Sequence, residues 1–105
     1  MKLTAQLVNE INNHLPGFRI ILNVNKKGYK YSCTSNSLVN ISYRKYCETI
    51  EETEELLINR FIICLKIQNE SLVENMERFI NFDNKKYYLD KINANKEVID
   101  ILNKI

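Results

Sequence analysis

In "CETIEETEELL", residues 47–57, four glutamates stand at i, i+3, i+4 and i+7: Glu48, Glu51, Glu52 and Glu55. On a helix this spacing aligns them in one stripe. Like charges one turn apart each cost a helix about 0.2–0.5 kcal/mol. The positive end of the helix dipole returns about 0.3–1 kcal/mol for each acid in the first turn. The two effects roughly cancel, so a solvated helix start accounts for the stripe without any function. Beyond that, the stripe offers fixed negative charge to a basic surface, on a protein or in a groove that normally holds phosphate. It does not read as a calcium loop, which interleaves carboxylates with glycine and backbone carbonyls.

The opposite charge gathers earlier in the chain. Arg19, Lys26, Lys27, Lys30, Arg44 and Lys45 share a stretch with Tyr29, Tyr31, Tyr43 and Tyr46. Cations beside aromatic rings can neutralise phosphates and stack bases. Strand alternation works against that use, because Lys30 points away from Tyr29 and Tyr31. Tyr43 in turn aligns with the apolar Val39 and Ile41. Packing is therefore favoured over stacking for these rings, and a nucleic-acid-binding hairpin is kept as the alternative to the acidic stripe.

Residues for catalysis are scarce. His14 is the only histidine, and a Ser/His or Cys/His system would have to use it as base. Its place beside "PG" suits an interaction with a helix C-terminus instead. Cys33, Cys47 and Cys64 form no CxxC pair, so no zinc set of ordinary spacing can be written. Glycine occurs only at 17 and 28, which leaves no phosphate-cradling loop or dinucleotide fingerprint. No cofactor, no metal and no enzymatic activity are expected. The cysteines read as buried free thiols in a reducing, cytoplasmic setting.

The 105 residues set one compact domain, 1–105, large enough for a core without disulfides. Asn (15), Ile (14) and Lys (11) dominate while Arg is at 4, the signature of an AT-rich coding bias. Lysine and asparagine are accordingly discounted as functional signals, and glutamate is not. The net charge of +2 hides an asymmetry. Residues 1–47 carry +6, residues 48–77 carry −6 and residues 78–105 carry +2. Two opposed electrostatic faces follow. The longest apolar run, "FIICL" (61–65), is too short to span a bilayer, and "MKLTAQLVNEINNH" is too polar for a secretory core, so no membrane partner is expected.

Elements must now hold these charges in place. Leu3, Leu7, Val8, Ile11 and Leu15 recur at helical spacing, with Thr4 as cap and Pro16 as stop. Phe18, Ile20, Leu22 and Val24 alternate as a strand. "NKKG" (25–28) predicts a three- to four-residue hairpin loop, followed by a strand carrying Tyr29, Tyr31 and Cys33 on one face. "TSNS" turns into a third strand over 38–46. Thr49 and Glu52 form a capping box for a helix to about residue 68, with Ile50, Leu57, Phe61 and Cys64 at its buried centre. Leu56, Ile58, Ile62, Ile63, Leu65 and Ile67 predict that its second half is nearly surrounded. Ser71 and Glu74 suggest a new helix to about 82, "NFDNKKYY" a break, and Asn95 the cap of a last helix. The fold class is α+β: an N-terminal helix, a three-stranded antiparallel β-meander, then two to three helices packed on one face of the sheet.

A compact, cofactor-free domain with opposed charged faces is expected to work by occupying a surface. In size, biased composition and lack of catalytic apparatus it is similar in style to small inhibitors of phages and mobile elements, including anti-CRISPR proteins; no motif carries this likeness. The expected function is a non-enzymatic protein-binding inhibitor or adaptor. It would use Glu48, Glu51, Glu52 and Glu55 on a basic, nucleic-acid-handling partner. A small DNA- or RNA-binding protein is the alternative, and a homodimer built on the apolar helix the third reading.

Overall fold

The computed structural model describes residues 1–36, 40–42, 45–78 and 82–105. Helix α1 (Ala5–Asn12) leads to strands β1 (Arg19–Asn25), β2 (Gly28–Thr34) and β3 (Asn40–Ile41), then helices α2 (Ile50–Arg78) and α3 (Phe82–Asn103). The α+β class and the three-stranded antiparallel meander, in the order β1-β2-β3, agree with the sequence reading. Thr4 caps α1 as expected, its Oγ1 accepting from the Leu7 amide at 3.2 Å.

The hairpin is tighter than the sequence suggested. Asn25 pairs with Gly28, leaving only Lys26 and Lys27 as loop, and the Asn25 Oδ1 accepts from the Lys27 amide at 2.8 Å. Gly28 sits at φ 125°, and a Cβ there would collide with the Cys47 carbonyl. That close approach lets Cys47 exchange two backbone hydrogen bonds with Tyr29, at 2.9 and 2.8 Å. The third strand is shorter than the expected 38–46. Only Asn40–Ile41 pair with β2, and Val39, Tyr43 and Arg44 lie outside the described residues.

Between these two contacts the Tyr31 amide has no strand partner among the described residues. Thr53 of α2 fills the gap: its Oγ1 accepts from the buried Tyr31 amide at 2.8 Å. The next residue, Glu54, is only 2 % exposed. Its Oε2 accepts from the Lys2 and Leu3 amides at 2.9 and 2.8 Å, where the chain enters α1. Neither residue belongs to the expected buried centre of the helix. Leu57 and Phe61 are buried as expected, joined by Ile58 and Leu65, whereas Ile50 and Cys64 are only half-buried. Leu56, Ile63 and Ile67 are exposed, so the second half of the helix is not surrounded.

The core joins Leu3, Leu7, Ile11 and Leu15 to Phe18, Tyr31, Cys33 and Ile41 of the sheet region, and to α2 and α3. Phe18 stacks on Phe61 with ring centroids 5.3 Å apart. Asn12 fixes Phe18 from behind, donating to its carbonyl at 2.9 Å and accepting from its amide at 3.1 Å.

Beyond residue 68 the helix does not stop. Residues 50–78 contain no glycine or proline, and Ser71 alone does not break a helix whose neighbours are good formers. Glu74 ion-pairs with Arg78 at 3.7 Å on the surface instead of capping a new start. The expected break at "NFDNKKYY" is likewise absent from Phe82 onward, because α3 already runs through it. Asn95 is no cap. It lies fully buried within α3 and donates to Gln68 Oε1 at 2.7 Å and Asn69 Oδ1 at 2.8 Å, a polar clasp to α2. The result is an elongated body, 53 × 26 × 21 Å.

Two substitutions check this packing by chemical denaturation. Phe61→Ala should lose about 3–5 kcal/mol, since it opens a cavity under Phe18. Thr53→Val, which keeps the shape and removes the acceptor, should lose about 1–3 kcal/mol by leaving the Tyr31 amide buried and unpaired.

Candidate protein-binding surface

Helix α2 holds Glu51, Glu52 and Glu55 of the expected stripe, whereas Glu48 precedes the helix and its Thr49 cap and so does not share the helical face. The helix start is capped by Thr49, whose Oγ1 accepts from the Glu52 amide at 3.2 Å, one half of the expected box. Three residues on, Thr53 and Glu54 anchor the same turn in the core. Glu48, Glu51, Glu52 and Glu55 are all exposed. Among the described residues the one side-chain ion pair is Glu74–Arg78, so none of these four carboxylates is in a described ion pair, although Lys2 lines a pocket beside Glu55.

Farther along α2, beyond the exposed Arg60 and Lys66, stands a second group of acids. Glu70, Glu74 and Glu77 also stand exposed on α2. They line a groove of about 400 Å³ between α2 and α3 whose floor includes Val73 and Ile92 and whose only cation is Lys96. From Glu51 to Glu77 the helix runs ~39 Å at 1.5 Å per residue. Seeing this in the sequence required treating residues 50–78 as one helix. Glu54 was open to the same check: it stands three residues before Leu57 and seven before Phe61, on the apolar face.

Of the expected basic residues, Arg19 stands apart, while the Tyr29–Cys47 pairing brings the chain at Lys45 and Tyr46 beside Lys30, at the hairpin end that carries Lys26 and Lys27. Arg19 and Asn25 stand at opposite ends of β1, ~20 Å apart for a strand of this length. Lys26 and Lys27 are exposed at the tip beyond Asn25. The side chain of Lys30 lies over the Tyr46 ring, 4.9 Å from its centroid. Lys45 is exposed, and Arg44 falls outside the described residues. Tyr31 is buried and Tyr29 half-buried on the core side of the sheet, the packing role expected for both. Burial, and secondarily the Glu54 charge, push the Tyr31 phenol above its ordinary value.

The thiols sit apart from this surface. Cys33 and Cys47 are buried and Cys64 half-buried, all free. His14 is half-buried just after α1, its amide donating to the Ile11 carbonyl at 3.0 Å. Among the described residues no His, Cys, Asp and Glu side chains cluster as metal ligands, and no helix is long and apolar enough to cross a membrane.

Fold and surface together define a small α+β protein with an acidic helix along one side. Comparison of the chain with protein-family models, with curated proteins and with solved structures gave no match.

Cys33 makes the pH dependence of stability testable. Burial first, then the neighbouring Cys64, push its thiol up to about 12, against a hydrogen bond from the Ile41 backbone that lowers it. The folded-state value lies above the ordinary 9.0, so the neutral thiol favours folding in full below about pH 9. That contribution is lost as pH rises towards about 12. Denaturation midpoints should fall with alkaline pH over this window, and Cys33→Ala should flatten the fall. An identical slope in the variant would contradict the assignment.

Proposed function

We propose that this protein is a non-enzymatic binding module, a stoichiometric inhibitor or adaptor of the phage or mobile-element type. Its acidic face on α2 docks on the basic surface of a nucleic-acid-handling partner. The observation that carries the reading is the set of Glu48, Glu51, Glu52 and Glu55: exposed, in no described ion pair, and held at the capped start of a helix that is hydrogen-bonded into the core. A charge array already fixed in place loses little conformational freedom on association. Its field also speeds encounter with a surface of opposite sign. A basic surface of the kind that otherwise meets phosphate is the complement to these carboxylates, and Glu70, Glu74 and Glu77 form a separate acidic group farther along the helix, past Arg60 and Lys66.

The alternative, nucleic-acid binding through the hairpin, draws on the exposed Lys26 and Lys27. It lacks a stacking platform among the described residues. Tyr31 is buried, and Lys30 covers the ring of Tyr46.

Reversing Glu51, Glu52 and Glu55 to Lys tests the proposal. Capture of partners from host-cell lysate, followed by binding kinetics on the purified partner, should show slower association and weaker binding, with the fold intact and the melting temperature lowered only by the lost helix-dipole contribution of Glu51 and Glu52. The wild-type association rate should fall as salt is raised. Lys26→Ala with Lys27→Ala should have the smaller effect. A silent glutamate triple, together with a lysine pair that abolishes binding to a labelled oligonucleotide, would replace this reading with the alternative.

A further inference from the structure

The free edge of β1 points to a second site, independent of the acidic helix. With Asn25 and Gly28 closing a two-residue hairpin, the hydrogen-bonded pairs of the β1–β2 ladder are Asn25–Gly28, Asn23–Lys30, Ile21–Ser32 and Arg19–Thr34. The alternate residues of β2 confirm this phase, since the amides of Tyr29 and Tyr31 point away from β1, to Cys47 and Thr53. On β1 the N–H and C=O groups of Ile20, Leu22 and Val24 therefore point outward, where no described strand lies. Edge strands are usually protected by lysine, proline, a bulge or brevity. β1 is seven residues long, its register is unbroken, it contains no proline, and Arg19 is its one charge. Ile21 and Val24 are exposed by 52 % and 62 %.

We propose that β1 pairs antiparallel with β1 of a second copy of this chain about a two-fold axis at Leu22, joining two three-stranded sheets into one. This register satisfies all the outward groups, because Ile20 meets Val24 of the other copy and Leu22 meets itself. Each such pair exchanges two backbone hydrogen bonds. It also sets Arg19 opposite Asn25 and Ile21 opposite Asn23, so no like charges face each other. A second feature matches it. Beside Ile20, a groove of about 540 Å³ opens between α1 and β1, lined by Ala5, Val8, Phe18 and Ile20 among others. Val24 of the second copy, directly opposite Ile20 and on the same face, is placed to enter it. The exposed valine and the open groove are thus the two halves of one self-complementary contact.

Sedimentation equilibrium across a concentration series, with far-UV circular dichroism, tests this. The wild type should approach twice its 12.5 kDa mass as concentration rises. Val24→Pro removes an outward N–H that the β1–β2 ladder does not use, and it should yield a folded monomer. Val24→Lys, which keeps the backbone intact, should do the same and decides the matter if the proline variant fails to fold. Amide exchange at Leu22 and Val24 should slow with concentration in the wild type. A wild type that stays monomeric throughout, including one that instead binds an extended peptide at this edge, would overturn the proposal. So would a dimer that survives Val24→Lys unchanged.

Discussion

Two adjacent polar side chains of α2, Thr53 and Glu54, enter the core and accept hydrogen bonds from the backbone amides of Tyr31, Lys2 and Leu3. Each contact answers a deficit elsewhere. Among the described residues no strand partner meets the Tyr31 amide, and Thr53 supplies its acceptor. The chain entering α1 has amides that no helical carbonyl reaches, and Glu54 collects two of them. Burying a carboxylate is costly unless donors surround it. Here the donors are main-chain groups, beside the positive end of α1. Sheet, first helix and long helix are thereby tied at one turn of α2, with Leu57 and Phe61 packing immediately beyond it.

That tie also orients the surface. With Thr53 and Glu54 directed inward, Glu51, Glu52 and Glu55 fall on the solvent side of the same turn. Rigidity and charge therefore share a cause: the residues that fix the helix also determine which glutamates can meet a partner. The edge of β1 lies across the sheet from this anchor, so the proposed acidic docking face and the proposed strand pairing do not occupy the same surface.

Much of the fold was legible because it rests on local chemistry. The alternation of Phe18, Ile20, Leu22 and Val24, the turn at Lys26 and Lys27, and the caps at Thr4 and Thr49 all carry short-range signals. What failed had two causes. Ser71 with Glu74 looks like a helix start, yet the good helix formers around it carry α2 through. Asn95 before an apolar repeat looks like one too, yet tertiary packing carries α3 through it. Asn95 is buried against Gln68 and Asn69, contacts that no local pattern encodes. At the candidate site the spacing alone placed Glu51, Glu52 and Glu55 together on the exposed side of the helix, but not the helix start, which leaves Glu48 outside it. Glu54 was not assigned because buried acids are rare, although its helical phase placed it among apolar residues.

Amide hydrogen exchange at Leu3 and Tyr31 tests the anchor itself. If Glu54 and Thr53 hold the first helix and the sheet edge to α2, both amides should exchange only through global unfolding, at the free energy measured for Leu57 and Phe61. Fast exchange at Leu3 and Tyr31 while the Leu57 and Phe61 amides stay protected would contradict the account.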